Sequence, residues 1–509
     1  MRGAQTQPEH ALPGDSSTRL TAVVVGGGIS GLLAARGLAK AGIAVTVLEA
    51  GDAWGGCVGS HTVGGLELDS GAESFATRST AVADLARDLG LGGNIVAPHP
   101  GGAWVQLPDG PQELPKTGVL GIPANPWDPE VRRSLGFAGS LRASLDRYLP
   151  ASVGTSAEVT SVSSLVRARM GKRVLERLVA PVVGGVHSAD PGLLDVDMVA
   201  PGLRAALRKH GSLAEAVASQ RAASQRAAAS GPATPGLAAA DENGSGTAKA
   251  GSAVGGLKGG MNTLVTALVK ELRSQGVTLV SGARVDSITR TESGWQATAA
   301  GTAYDAGRLV VALDGPAAVG LLEGALPELS ALRPAAGPLV SLVTLVVDVP
   351  ELDRRPRGTG ILVAPQTAGI EAKALTHATA KWDWLAEEAG PGTHVLRLSY
   401  GRAEGADGRG SAAVQSVASL NDDALFEAAL RDASTLLTVP IVREDVLDWD
   451  VVRWAGALPF AAVGHKQRVA QVRRICSEAD GLTVVGGWLA GNGLAAVVTD
   501  TSAQIDAIL

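Results

Sequence analysis

Cysteine is almost absent: Cys57 and Cys476 are the two found in 509 residues. A disulfide framework therefore has nothing to be built from, and a reducing cytoplasm is the expected location. No run of about 18 uninterrupted apolar residues is present, so no transmembrane helix is expected, while peripheral contact with a membrane surface is left open. Positive charge is not in excess either, since 44 Lys and Arg stand against 50 Asp and Glu for a formal net charge of −6. Without a basic field, nucleic acid is not an expected partner. Nothing resembles a secretory leader, because the apolar run at 21–25 is short and cut by glycines. No metal site is expected.

Glycine is what the chain has in quantity, and its most ordered group lies early. Val23-Val24-Val25-Gly26-Gly27-Gly28-Ile29-Ser30-Gly31 reads as a buried strand, a tight turn and the start of a helix that Gly42 closes. Gly26, Gly28 and Gly31 stand at G-x-G-x-x-G spacing. The first permits the turn, the second lets a pyrophosphate approach the backbone, and the third lets helix and sheet pack closely. The helix start, with Ile29 and Ser30, offers N–H donors and a positive dipole end to phosphates. A second strand at 43–49 ends on Glu49, placed to accept hydrogen bonds from ribose hydroxyls, with Ala50 next to it. An acid at that position disfavours a 2′-phosphate and leaves FAD or NAD.

In chain order, residues 1–19 read as a disordered lead-in. Gly55 and Gly56 form a second close-approach turn before Cys57. Residues 66–75 read as a strand entering the turn Gly71-Ala72-Glu73-Ser74, followed by Arg78 and a helix at 80–89. A hairpin is expected at 103–114, turning at Pro108-Asp109-Gly110. Residues 129–210 are mostly helical, with basic side chains such as Arg133, Arg169, Arg173 and Arg177 read as solvated faces. Residues 218–256 have almost no large apolar side chains and read as a low-complexity linker holding no active-site residue. An amphipathic helix follows at 261–276, then strands near 277–280, 283–285, 308–313, 339–349, 360–364 and 394–400, and a helix capped by Asn421. The chain closes on a strand at 482–485, a glycine-rich turn at 486–493 and a helix from Leu494. A cofactor gripped from both ends of a chain suits FAD better than NAD, because the isoalloxazine ring needs a site of its own. The dipole of the last helix would then face the pyrimidine side of the flavin.

Longer motifs narrow this reading. They are Gly71-Ala72-Glu73-Ser74-Phe75-Ala76-Thr77-Arg78, Gly184-Gly185-Val186-His187-Ser188-Ala189-Asp190, Leu257-Lys258-Gly259-Gly260-Met261, and Arg453-Trp454 followed by Pro459 and Gly464-His465-Lys466-Gln467-Arg468-Val469. With them the chain resembles the flavin-dependent porphyrinogen oxidases, most closely the soluble bacterial coproporphyrinogen III oxidases related to protoporphyrinogen oxidase. The resemblance implies an α/β multidomain fold with a Rossmann-like FAD domain of the p-hydroxybenzoate-hydroxylase type. That domain would comprise 20–78, 257–316 and 450–509; a mixed-sheet substrate domain would comprise 79–128 and 317–449, with a helical domain at 129–217. Residues 26–31 would hold pyrophosphate, Glu49 the ribose, and Gly71, Ala72, Glu73 and Ser74 would lie along the flavin. Val285 would meet the adenine through its backbone, while Trp454, Gly491, Asn492, Gly493 and Leu494 would flank the isoalloxazine. Arg78 and His187 are the candidate substrate contacts.

Two positions depart from the family pattern. Cys57 stands where a lysine or arginine is usual, and His187 where tyrosine is common. The implied chemistry removes six electrons and six protons from coproporphyrinogen III in three flavin cycles, with O₂ as acceptor and H₂O₂ as product. No dedicated acid or base is expected, because pyrrole N–H groups can release protons as imine and enamine forms interchange. Hand-off of product to a haem-pathway enzyme is the expected partner contact. The alternatives are protoporphyrinogen IX oxidation, an amine oxidase or desaturase on the same scaffold, or a porphyrin carrier without redox function.

Overall fold

The structure is a computed structural model that describes residues 20–156, 159–230, 253–401, 417–456, 462–491 and 493–509. The expected lead-in at 1–19, Pro459 and Asn492 lie outside the described residues. A parallel sheet makes the first layer. Its five strands run in the order Thr278–Val280, Ala44–Leu48, Thr21–Val25, Arg308–Val311, Leu482–Val484, with every neighbouring pair parallel. Thr21–Val25 is apolar at successive positions because both of its faces are covered. Ala22 and Val24 feed a core with the helices Ile29–Lys40 and Asn262–Ser274, whereas Val23 and Val25 feed a second core on the opposite face. The two-residue alternation of a strand sends neighbouring valines into different cores.

A seven-stranded mixed sheet forms the second body, in the order Val446–Ala455, Leu339–Asp348, Thr393–Tyr400, Ala374–His377, Gly360–Val363, Trp104–Leu107, Gly110–Glu113. The helix Asp422–Leu437 packs on it, its N-terminus capped by the Asn421 side chain, which accepts from Ala424 N at 2.9 Å. A small sheet of Phe75–Ala76, Val254–Leu257 and Ile95–Val96 ties the segment after Glu73 to the strand that precedes the Lys258-Gly259-Gly260-Met261 turn.

Several expected boundaries move, and packing gives the reason each time. Val446–Ala455 pairs along its length with Leu339–Asp348, so residues 450–455 belong to the mixed sheet and not to the dinucleotide-type body. Conversely, Val82, Ala83, Leu85 and Ala86 bury into the core under Ile29–Lys40, and Ala318, Val319 and Leu322 into the core on the other face of the parallel sheet. An amphipathic helix carries the same apolar stripe whichever sheet it covers, so these assignments could not be read from periodicity. The 218–256 stretch also changes: helix Leu213–Ser230 runs through its first third and strand Val254–Leu257 closes it, while 231–252 lie outside the described residues. Alanine favours helix without needing a core, which a count of large apolar residues overlooks.

The helical body at 129–217 has a core of Val, Leu and Ala side chains. One of its basic residues is not solvated at all, because Arg169 is completely buried against Asp146.

Candidate functional site: a glycine cradle beside a clamped loop

The first strand ends at Gly26, whose φ is +105°, and a Cβ there would lie 2.6 Å from the Ala312 carbonyl oxygen. A Cβ at Gly31 would fall 1.9 Å from Gly26 O. Both positions therefore require glycine on backbone grounds. Gly28 differs, since a Cβ there would meet nothing within 4 Å. It faces open space at the N-cap of Ile29–Lys40, a helix with no side-chain cap and no acid in its first turn. A side chain at Gly28 would fill that space, so the turn is shaped for an anionic group to approach the backbone and helix start.

Two further segments close on this turn. Gly55 N donates to Gly27 O at 2.9 Å, and Gly55 and Gly28 form a parallel bridge. Gly55 and Gly56 have φ of +103° and +58°, and a Cβ on Gly56 would lie 3.4 Å from Gly28 Cα. Glu49 is fixed by two backbone donors, Gly27 N to Oε2 at 2.6 Å and Gly51 N to Oε1 at 2.8 Å. Its own backbone bridges Val280 O at 2.9 Å and Ala283 N at 2.7 Å, which brings the start of Val285–Thr291 beside it. The carboxylate keeps lone pairs for hydroxyl donors. Ala50 is exposed at the edge of this group.

Cys57 stands at the join to the next loop. Its carbonyl accepts from Ala72 N at 2.8 Å, and a Cβ on Gly71 would lie 2.2 Å from that oxygen. Burial pushes the Cys57 thiol up from its ordinary value. It is a neutral side chain at neutral pH, without the charge of the lysine or arginine usual there.

Donors from the mixed sheet and from the short helix Ala378–Lys381 hold the loop 69–74. Arg397 donates to Asp69 O at 3.1 Å and Gly71 O at 2.8 Å, and its Nη2 lies 2.7 Å from Glu73 Oε2. Lys381 Nζ reaches the other Glu73 oxygen. Trp454 Nε1 donates to Ser70 O at 2.8 Å. Burial alone would raise the Glu73 carboxyl; the charges of Arg397 and then Lys381 outweigh it and bring it down to about 2. Asp69 moves the other way, to about 6, because burial outweighs the hydrogen bonds from Met261 N at 3.1 Å and Asn262 N at 3.2 Å. Those bonds make Asp69 the side chain that receives the start of helix Asn262–Ser274.

Arg78 and His187, chosen from two separate motifs, come within electrostatic reach of each other. Arg78 is exposed, while His187 is buried at the end of helix Ala180–His187. Burial first, and the Arg78 charge second, push the imidazole down to about 4, so it is neutral at physiological pH. The next residue, Ser188, has a φ of 51° and accepts from the fully buried Lys373, whose Nζ also donates to Gly401 O at 2.9 Å.

At the C-terminal end, the expected plain turn at 486–493 contains a short helix, Gly487–Ala490. Gly491 and Gly493 have φ of +102° and +113°, and a Cβ on either would meet nothing within 4 Å. Leu494–Asp506 then begins with no side-chain cap and no acid in its first turn. Because Leu482–Val484 and Thr21–Val25 belong to one parallel sheet, this helix start and that of Ile29–Lys40 arise at the same sheet edge. His465 is a tie, its Nε2 lying 2.6 Å from Trp488 O in a buried position.

The structure brings together the glycine turn, Glu49, the 55–57 turn, the 71–74 loop, Val285 and Trp454, all named from the sequence. Asn492 lies outside the described residues. Reasoning missed Asp69, Lys373, Lys381 and Arg397. A lone lysine or arginine in a strand carries no local signal of a distant partner. Only Asp69, two residues before a glycine turn, had one: a short acid positioned to bond free backbone N–H groups. Among the described residues there is no cluster of three His, Cys, Asp or Glu able to hold a metal, and no helix long and apolar enough to cross a membrane.

Comparison with known proteins agrees with this geometry. The sequence profile of the flavin containing amine oxidoreductases matches residues 29–499. A coproporphyrinogen III oxidase of Mycobacterium leprae is 30% identical over 95% of this chain and 97% of its own. One from Propionibacterium freudenreichii is 31% identical over 98% and 92%. Among solved structures, a protein of Exiguobacterium sp. 255-15 superposes with a TM-score of 0.75 at 23% identity, covering 97% of this chain and 99% of its own. The cyclohexylamine oxidase of Brevibacterium oxydans superposes at 0.63 with 17% identity, covering 96% and 98%.

Proposed function

Because the chain belongs to the flavin-containing amine oxidoreductase family, and is a flavin-dependent oxidoreductase, we propose that it oxidises coproporphyrinogen III to coproporphyrin III in haem biosynthesis. FAD is the flavin in this reading and O₂ the acceptor. Residues 26–31 would receive the pyrophosphate, with the open face of Gly28 giving it room. Glu49 would take ribose hydroxyls on the lone pairs its two backbone donors leave free. Val285 would lie at the adenine; the 71–74 loop, Trp454 and the Gly491 to Leu494 segment would face the ring system. When bound, FAD supplies the redox chemistry: three two-electron oxidations of one porphyrinogen, each balanced by reduction of one O₂ to H₂O₂.

The chain's own part is to position the macrocycle and keep its slot dry. One observation carries the choice of substrate: Arg78, exposed, lies within electrostatic reach of a buried His187 that stays neutral. A cation next to an uncharged imidazole suits a carboxylate-bearing, otherwise apolar macrocycle. Coproporphyrinogen III has four propionates and protoporphyrinogen IX two, so a cation at the rim favours the former. A protoporphyrinogen oxidase of Arabidopsis thaliana, 29% identical over 54% of this chain, keeps the second substrate as the competing reading.

The test is anaerobic single-turnover bleaching of the flavin with each porphyrinogen, in wild type and Arg78→Ala. A charge-assisted hydrogen bond is worth on the order of 1.5–3 kcal/mol, so kcat/KM for coproporphyrinogen should fall roughly ten- to a hundredfold while flavin content stays the same. Equal rates for both proteins on both substrates would remove Arg78 from the site. Failure of both porphyrinogens to bleach the flavin would overturn the reaction itself.

A further inference from the structure

Outside the site already described, the feature with most chemistry lies in the helical body. Helix Pro129–Ser144 is interrupted at Gly136, which adopts φ 68° and ψ 170°. A break of this kind deprives neighbouring carbonyls of their helical partners. Two arginines from the segment 172–177 supply replacements: Arg177 Nε donates to Ser134 O at 2.5 Å, and Arg173 Nη1 to Leu135 O at 2.9 Å. Both guanidinium groups are thereby pinned at the break. Over it opens a cavity of about 340 Å³, lined by Arg133, Arg173, Arg177, Asp109, Glu176 and Gln366.

The charges in this cavity do not cancel. Asp109 is held by both oxygens to Arg177 Nη2, at 2.8 and 2.6 Å. Glu176 faces Lys172 at 3.3 Å. Arg133 and Arg173 have no ion-pair partner among the described residues. Three guanidinium groups against two carboxylates line the space, and two of the three, one of them already oriented by a backbone carbonyl, make no ion pair; the space is large enough for a tetrahedral oxyanion. Planar guanidinium forks match pairs of phosphate oxygens, and pre-oriented side chains lose less freedom on binding. Phe137, directly after the break, is 68% exposed beside this opening.

We propose that the cavity at Gly136 is a phosphate-binding site, taking the oxyanion either of free phosphate or of an anionic phospholipid headgroup. It is separate from the glycine cradle and does not rest on the substrate reading above. The test uses flavin-loaded full-length protein in phosphate-free buffer. One arm measures radiolabelled inorganic phosphate by equilibrium dialysis; the other measures sedimentation with phosphatidylglycerol vesicles against phosphatidylcholine vesicles. Arg133→Gln removes an exposed side chain that lines the cavity and makes no ion pair among the described residues, and Arg132→Gln makes the same charge change one residue away, on an equally exposed position outside the cavity.

Binding in either arm should weaken roughly tenfold or more in Arg133→Gln, and less than about twofold in Arg132→Gln, which does not line the cavity. Phosphate binding without vesicle binding identifies the free ion as the source. Binding to phosphatidylglycerol that inorganic phosphate displaces identifies the headgroup. Absence of binding in both arms, or equal losses in the two variants, would overturn the site; equal losses would mean general charge attraction.

Discussion

Arg169 and Glu73 are both charged and both withdrawn from water, but their partners come from different places. Arg169 is completely buried, with its Nε 2.5 Å from Asp146 Oδ1 and further bonds to the carbonyls of Asp146, Pro150 and Gly211 at 2.8, 2.8 and 2.7 Å. The second Asp146 oxygen accepts from Ser212 Oγ at 2.8 Å and Ala214 N at 2.9 Å. Every member of this knot belongs to the helical body. Glu73 sits on the loop against the glycine cradle, while Arg397 lies on a strand of the mixed sheet and Lys381 on the short helix Ala378–Lys381 that follows another. A knot closed within one body can only stabilise that body. A clamp whose halves belong to different bodies also sets where one stands relative to the other.

The largest expected effect comes from opening the knot. Arg169→Met leaves Asp146 buried without its counter-charge, and breaking a buried pair from one side typically costs about 3–5 kcal/mol. Urea unfolding should show a loss of that order. Flavin bound per folded molecule should stay the same, because no bond of the knot reaches the cradle. A variant that kept its stability but lost flavin would erase the distinction between knot and clamp.

Glu73→Gln sharpens the same contrast through pH. The folded carboxyl is lowered from 4.5 to about 2. Its contribution is therefore full above pH 4.5 and disappears as pH falls through the folded value, with a ceiling of about 3 kcal/mol from that shift. The stability difference between wild type and variant should be present at pH 6 and shrink towards pH 3. Asp69, raised from 3.8 to about 6, has the opposite sign: its penalty grows as pH rises between those values. Two acids four positions apart on one loop thus oppose each other in acid, and only the variant comparison isolates Glu73. Unlike Arg169→Met, Glu73→Gln should also release flavin on gel filtration at neutral pH. Full flavin retention would reduce the clamp to a second knot.

The contrast also marks what a linear sequence can disclose. Gly26 and Gly31 were legible because a backbone that close to Ala312 O and to itself tolerates no side chain, and the spacing records that demand. Glu49 was legible because a strand end fixes its distance from the turn. Arg397 and Lys381 were not, since a cation in a strand or a short helix looks the same whether it meets water or a distant carboxylate. Arg169 was misjudged for the same reason: helical position gives the face, but six oxygen partners gathered from 146–153 and Gly211 do not show in the spacing. The shifted boundaries at 81–88, 315–322 and 446–455 reflect stripes whose apolar pattern is indifferent to the sheet they cover.

The smallest expected effect concerns a segment that has neither knot nor clamp. Helix Leu213–Ser230 buries Leu213, Ala216 and Val217 in the helical body, whereas Ala222 and Ala223 are exposed. Ala222 and Ala223 lie beyond the buried turn, so their contribution there is alanine's helix propensity, and glycine is about 1 kcal/mol less favourable per interior position. Ala222→Gly with Ala223→Gly should therefore loosen the helix locally. Amide exchange at 218–230 should quicken, while the global unfolding midpoint stays within about 1 °C, because a tail that frays before the body unfolds contributes nothing to the global transition. The urea midpoint of Arg169→Met measured alongside gives the scale for a residue whose loss the whole body feels. If the double glycine variant lost several degrees instead, the tail would have to pack on the body. Stability would then depend on contacts made by this segment, and its helix could no longer be attributed to alanine propensity.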